Sequence, residues 1–198
     1  MAYGASGGFG LQPVNHTGGQ TGISITNEYN LPATGGQSIF LGDPVMTSTL
    51  GVIIRGAAST PMLGVFQGCK FQDTNGVWQF ANFFSGATAF LAGNTPVAMV
   101  IDDATAEYTI TEGDGTGASG TPLAASVIGA NANFLYTAGS TRTGLSAVTL
   151  NNATASTASS ANLRITALDP RTGNVVGAFA NWIVQINNGQ RAAGTVRV

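Results

Sequence analysis

The sequence is poor in charge. Its 198 residues carry 7 Lys plus Arg and 9 Asp plus Glu, 8% in all, for a net charge of −2, where an average globular chain has about 25% charged residues. Long surface helices carry Glu and Lys on their outer faces, so this composition argues against them. The basic residues Arg55, Lys70, Arg142, Arg164, Arg171, Arg191 and Arg197 are scattered and form no stripe. The electrostatic footprint of a nucleic-acid binder is therefore missing. A single cysteine, Cys69, excludes an intramolecular disulfide and a multi-cysteine zinc site. It lies in an apolar run and is expected to pack as a small buried hydrophobe. No apolar run reaches the length of about 18 residues that a spanning helix needs. No basic stretch followed by an apolar one opens the chain, so neither a membrane partner nor a secretory signal is expected. Nowhere do apolar residues recur at helical spacing for more than about two turns.

What the chain has is hydrophobic content of 43% and 28 glycines. Apolar content at that level with so little charge argues against a disordered chain. The polar surface must be Thr, Ser, Asn and Gln, which suits strands and turns. Strand signals run from Ile39-Phe40-Leu41 through Val52-Ile53-Ile54 to residues 63–71, which reads as a β meander with a turn at Gly42-Asp43-Pro44. Further signals follow at 77–80, 97–101, 108–110, 126–129, 133–136, 146–150, 163–168 and 182–186. Asp73-Thr74-Asn75-Gly76 is a turn between two of them. About ten short strands at this spacing predict an all-β fold, an antiparallel β-barrel or sandwich. Residues 1–36 are Gly-rich, with Leu11, Val14, Ile23, Ile25, Tyr29 and Leu31 spaced as anchors. They predict an extended N-terminal arm, either ordered by neighbouring surfaces or a disordered tail through about residue 20, ahead of a single β domain over 37–198. Long loops are expected at 112–121 and 151–161, the latter with room for one exposed helical turn.

Candidate chemistry is sparse. His16 is the only histidine, and in an arm it lacks the rigid nucleophile and orienting group that a catalytic triad needs. Asp102, Asp103, Glu107, Glu112 and Asp114 concentrate negative charge. Paired carboxylates there suit glycoside hydrolysis or a hard cation, but the spacing matches no EF-hand or RTX repeat, and a solvated turn is the better reading. Gly113-Asp114-Gly115-Thr116-Gly117 lacks the Lys-Ser/Thr of a phosphate loop. Trp78, Phe80, Phe83 and Phe84 form an aromatic cluster that suits core packing or a subunit contact, with a carbohydrate platform as the alternative. No enzyme activity, and no catalytic, cofactor-binding or metal-binding residue, is expected.

Ile39-Phe40-Leu41-Gly42-Asp43-Pro44-Val45, with residues 63–71 after it, resembles the pattern of tailed-bacteriophage head decoration (cement) proteins and related virion structural proteins. Val100-Ile101-Asp102-Asp103 and Glu107-Tyr108-Thr109-Ile110 resemble that family's Asp-containing strand pair. Residues 163–168, Asn174, Gly177 and Val184-Gln185-Ile186-Asn187 resemble its C-terminal strands. The resemblance implies a protein without an active site that clamps capsomers on the outside of a phage head. It implies two partners, the major capsid protein and further copies of itself as a homotrimer. A phage tail or fibre module that binds a glycan or receptor is the alternative, with a hydrolase using Asp102 or Asp103 behind it.

Overall fold

The computed structural model describes residues 8–16, 26–32, 36–114 and 118–191. The chain is all-β. Its strands are β1 (Gln12–His16), β2 (Asn27–Asn30), β3 (Ile39–Phe40), β4 (Pro44–Thr47), β5 (Ile53–Arg55), β6 (Gly64–Gln72), β7 (Trp78–Ala81) and β8 (Phe83–Phe84). They continue with β9 (Val97–Ile101), β10 (Ala106–Gly113), β11 (Asn131–Ala132), β12 (Phe134–Leu135), β13 (Thr149–Asn151), β14 (Leu163–Leu168) and β15 (Asn181–Ile186).

One sheet runs in the order β11-β14-β15-β10-β13-β12. Its first and last strands are separated in sequence by Asn133 alone, so the sheet curls back onto the stretch it started from and makes a nearly closed barrel. Closure leaves few open edges. Asn133 forms the corner: its side chain accepts from Asn162 N (3.2 Å), and its own N–H donates to Thr154 Oγ1 (3.0 Å). Alternation fills the interior. Ala106, Tyr108 and Ile110 of β10 join Trp182 and Val184 of β15, Leu163 and Ile165 of β14, and Leu150 and Phe134 in one buried cluster.

The second sheet has the order β2-β9-β6-β4-β5, with β7 added to the far half of β6 and β3 paired to β8 beside it. Its inner face buries Leu31, Ile39, Val45, Ile53, Phe66, Cys69, Phe84, Ala98 and Val100. Val65 and Ile101, from its two central strands, belong to the barrel's cluster instead, so the sheet caps the barrel. Gly64 lets β6 and β9 approach closely at that end: a Cβ there would stand 2.1 Å from the Ile101 carbonyl oxygen. Residues 187–191 then strap the two sheets together. Met62 N donates to Asn188 O (2.8 Å), and Gln190 Oε1 accepts from Thr47 N (2.8 Å).

Several expectations change. The described parts of residues 1–36 are not an arm. β1 pairs antiparallel with β10, β2 pairs with β9, and Leu11 and Leu31 are fully buried in the two cores. Central strands with an open side need hydrogen-bond partners, and these polar segments supply them. The anchors Ile23 and Ile25 lie outside the described residues. The meander is re-ordered as well: β6 pairs with β4 rather than with β5, and β3 leaves for β8. The turn stands, with Asp43 N donating to Phe40 O (2.9 Å) and Gly42 at φ 89°, but the strands it joins belong to different pairings. Residues 125–127 form a short 3-10 turn instead of a strand. Glu112 and Gly113 are strand, which shortens the first long loop. Asn152–Thr154 is one 3-10 turn within the second.

Candidate functional site

The aromatic segment divides in two. Phe84 is buried at 2%, and Phe83 stacks on Phe40 with ring centroids 5.6 Å apart, so both belong to the body. Trp78 and Phe80 stand 56% and 71% exposed, next to Val77 at 55%. Their position follows from the turn before them. Asp73 Oδ1 accepts from Asn75 N (2.9 Å) and Val77 N (3.0 Å), Asp73 N donates to Val77 O (2.9 Å), and Gly76 takes φ 81°. The donation from Val77 N, with those from Asn75 and Gln79, holds the Asp73 carboxyl below the usual range. The turn fixes the register Gln72↔Trp78 and Lys70↔Phe80. Residues two apart in a strand share a face, so Trp78 and Phe80 lie side by side.

Polar groups border the two rings. Lys70 pairs with Glu28, and Asn94 Nδ2 donates to Gln72 Oε1. The sequence reading missed Lys70, Gln72 and Asn94. Counting outward from the Asp73–Val77 pair places Lys70 and Gln72 opposite the two aromatics. Asn94 has no such local signal, because it arrives from the loop before β9. The arrangement is a flat display of aromatic rings and amides without a nucleophile.

The acidic group disperses. Asp102 is buried and accepts from Asn27 Nδ2 (2.8 Å), Tyr29 Oη and Arg191 Nη1. Burial, then the bond to Asp102, pushes the Tyr29 phenol up to about 12. Asp103 Oδ1 accepts from Thr105 N (2.8 Å) and Thr105 Oγ1 (2.8 Å), which hold its carboxyl low. His16, expected in an arm, is on β1. Its Nδ1 lies 3.3 Å from both Asp103 Oδ2 and Thr105 Oγ1. A relay needs the base on one ring nitrogen and the orienting group on the other. Here one nitrogen faces both groups, and the hydroxyl already donates to the carboxylate. Glu107 is on the outer side of β10, opposite Gln185. Among the described residues no three His, Cys, Asp or Glu side chains are grouped to hold a metal ion.

Two carboxyls are buried without a cation in direct contact. Glu112 Oε2 accepts from Trp182 Nε1 (2.9 Å) and Leu123 N (3.2 Å) inside the barrel. Burial raises its pKa. Asp43 Oδ2 accepts from Phe40 N (2.9 Å) where the N-terminal segment, β6 and residues 144–146 meet. Burial pushes it up to about 6, against the opposing pull of Ser146, Phe40 and Arg55. Arg55 stacks over the Tyr136 ring, 3.6 Å from its centroid. Asp169, near β14 and β15, does hold a cation. Burial raises its pKa, but hydrogen bonds from Arg171 and Thr109 outweigh burial and hold it low. Cys69 is buried as expected, and burial pushes its thiol up to about 12, away from the reactive range.

Comparison of the chain with known protein families, characterised proteins and solved structures finds no match. No helix of the described residues is long and apolar enough to cross a membrane.

Proposed function

We propose that this chain is a capsid decoration protein, made in a bacterial host and bound to the outside of a phage head. There it bridges neighbouring subunits of the major capsid protein and sits with further copies of itself, as a trimer, at local three-fold positions. The observation that carries this reading is the division of the polar and aromatic side chains. Asp102, Asp169, Asp103 and Glu112 are taken up in ties within the body, while Val77, Trp78 and Phe80 are held out into solvent on a stiff hairpin. Exposed apolar side chains on a rigid frame are what an assembly contact requires. Low charge supports the same reading, since few ions need desolvation when surfaces close. Many weak contacts repeated over a lattice add up to a strong clamp.

The test is a copy count on purified virions. Numbers comparable to the major capsid protein support decoration, and a handful per particle overturns it. The binding variant to examine is Trp78→Ala on expanded capsids. Deleting residues 1–20 is a poorer probe, because it removes β1 and Leu11 from the body.

The same hairpin favours a second reading, a glycan- or receptor-binding tail or fibre module. Trp78 and Phe80 lie next to the Gln72 and Asn94 amides and the Lys70 ammonium, and sugars are held by ring stacking with polar groups at the rim. Glycan-array binding that disappears in a folded Trp78→Ala variant, together with low copy number, selects it.

A further inference from the structure

Edge strands invite pairing with other chains, and natural sheets blunt them with charge, proline, bulges or short length. Three described edges here are blunted. β1 carries Pro13 and a register shift between Pro13 and Asn15, β2 carries Glu28, and β5 has three residues ending in Arg55. β7, at four residues, is as short as β2, but it carries no charge, proline or bulge: its sequence is Trp-Gln-Phe-Ala.

The hydrogen-bond pattern tells which way its main chain points. Asp73 N donates to Val77 O (2.9 Å), which makes 73 and 77 a bonded pair across the hairpin. Bonded and non-bonded pairs alternate in an antiparallel ladder. Gln72 with Trp78 and Lys70 with Phe80 are therefore non-bonded pairs. Gln72 agrees, because its carbonyl accepts from Leu91 N (2.9 Å) on the side away from β7. The N–H and C=O groups of Trp78 and Phe80 thus point away from β6. Among the described residues none of the backbone bonds outside the ladders reaches them.

We propose that β7 is a self-pairing edge through which two copies of this chain join about a two-fold axis. Only Trp78 and Phe80 offer outward groups on the strand, so the register that uses all of them sets Trp78 opposite Phe80 of the second copy, and Phe80 opposite its Trp78. The axis passes at Gln79. Four main-chain hydrogen bonds form, and the same face gains two cross-strand Trp–Phe pairs, a combination that stabilises antiparallel neighbours. A two-fold contact requires one patch to complement itself. β7 does so without like charges meeting. The proposal draws on the same exposed hairpin as the virion reading, but its test uses the purified chain alone, so either can fail without the other, and a two-fold contact leaves a three-fold one elsewhere on the surface free to form.

Sedimentation equilibrium of the purified full chain tests it. Wild type is expected to approach twice the monomer mass as concentration rises. Phe80→Pro, which deletes an outward N–H that the fold does not use, is expected to shift the chain to monomer with its circular dichroism and melting unchanged. The register has its own probe in Gln79→Cys. The two 79 positions form a non-bonded pair, with Cα atoms about 4.5 Å apart, inside the window for a disulfide. Oxidised glutathione should then give a covalent dimer linked at 79, whereas Asn75→Cys at the turn should give none. A wild type that stays monomeric, or an oligomer that survives Phe80→Pro and does not cross-link at 79, overturns the proposal. Cross-linking of Gln79→Cys to a different protein on the particle, with the chain alone monomeric, overturns it in favour of a foreign strand on the same edge.

Discussion

The two tryptophans compare the two halves of the molecule. Trp182 lies inside the barrel with no exposed surface, and its indole N–H is spent on Glu112. Trp78 lies on the second sheet with more than half its surface in solvent. Both are strand residues close to polar side chains, so neither residue type nor local propensity separates them. The difference lies in closure. The barrel's strands return on themselves, and an inward side chain has neighbours on every side. The second sheet has at an edge β7, whose outer side no described strand covers. A closed half turns aromatic surface into stability, and an open half keeps it available for contact.

That contrast breaks most visibly at the tryptophans themselves. Trp182→Ala removes a fully buried indole and one of the two donors to the Glu112 carboxyl, and is expected to cost about 4 kcal/mol in urea denaturation. A loss under about 1 kcal/mol would mean that the barrel is not the stable half. At the junction of the halves, Asp43 holds its proton to higher pH in the folded chain than in the unfolded one, about 6 against 3.8. Stability from this group is therefore full below the lower value. It falls as pH rises between the two and is level above the upper one. Two units of elevation correspond to a fall of about 3 kcal/mol. Asp43→Asn should abolish that fall, which denaturation at a series of pH values spanning both would reveal.

The C-terminal strap is a smaller tie. Arg191 reaches Asp102 from a half-exposed position, with Asn27 and Tyr29 still bonded to the carboxylate when it is gone. Arg191→Ala is expected to cost about 1 kcal/mol, visible as a lower melting temperature. Trp78→Ala should change stability by less than about 0.5 kcal/mol, while its effect on binding to capsids or glycans is the large one. A Trp78→Ala variant that melts far below wild type would place that ring in the core and erase the contrast.

Much of the fold was legible in local pattern. Strands 97–101, 163–168 and 182–186 alternate or run apolar, and their bounds stand within a residue. β1 and β2 were not legible. Gln-Pro-Val-Asn-His and Asn-Glu-Tyr-Asn carry polar groups on both faces, and they are strands because β10 and β9 each have an open side. The meander was misordered because strand propensity says nothing about partner choice. For the site, the aromatic cluster was visible as four residues, but its division was not: the pairing of β8 with β3 buries Phe84 and stacks Phe83 on Phe40, and Trp78 and Phe80 are left outside it.

The amino-acid order by itself determined the class of the fold, the burial of Cys69 and the turn that aims the hairpin. These are matters of composition, alternation and short-range hydrogen bonding, and each acts within a few residues. Only the tertiary structure decided the fate of the charged and aromatic groups. Asp102 is a buried tie because residues 27, 29 and 191 meet there, and Glu112 is a barrel residue because Trp182 arrives beside it. Trp78 is exposed because, among the described residues, no strand covers the outer side of β7. Partners so distant in sequence are chosen by closure and packing, which no local stretch contains.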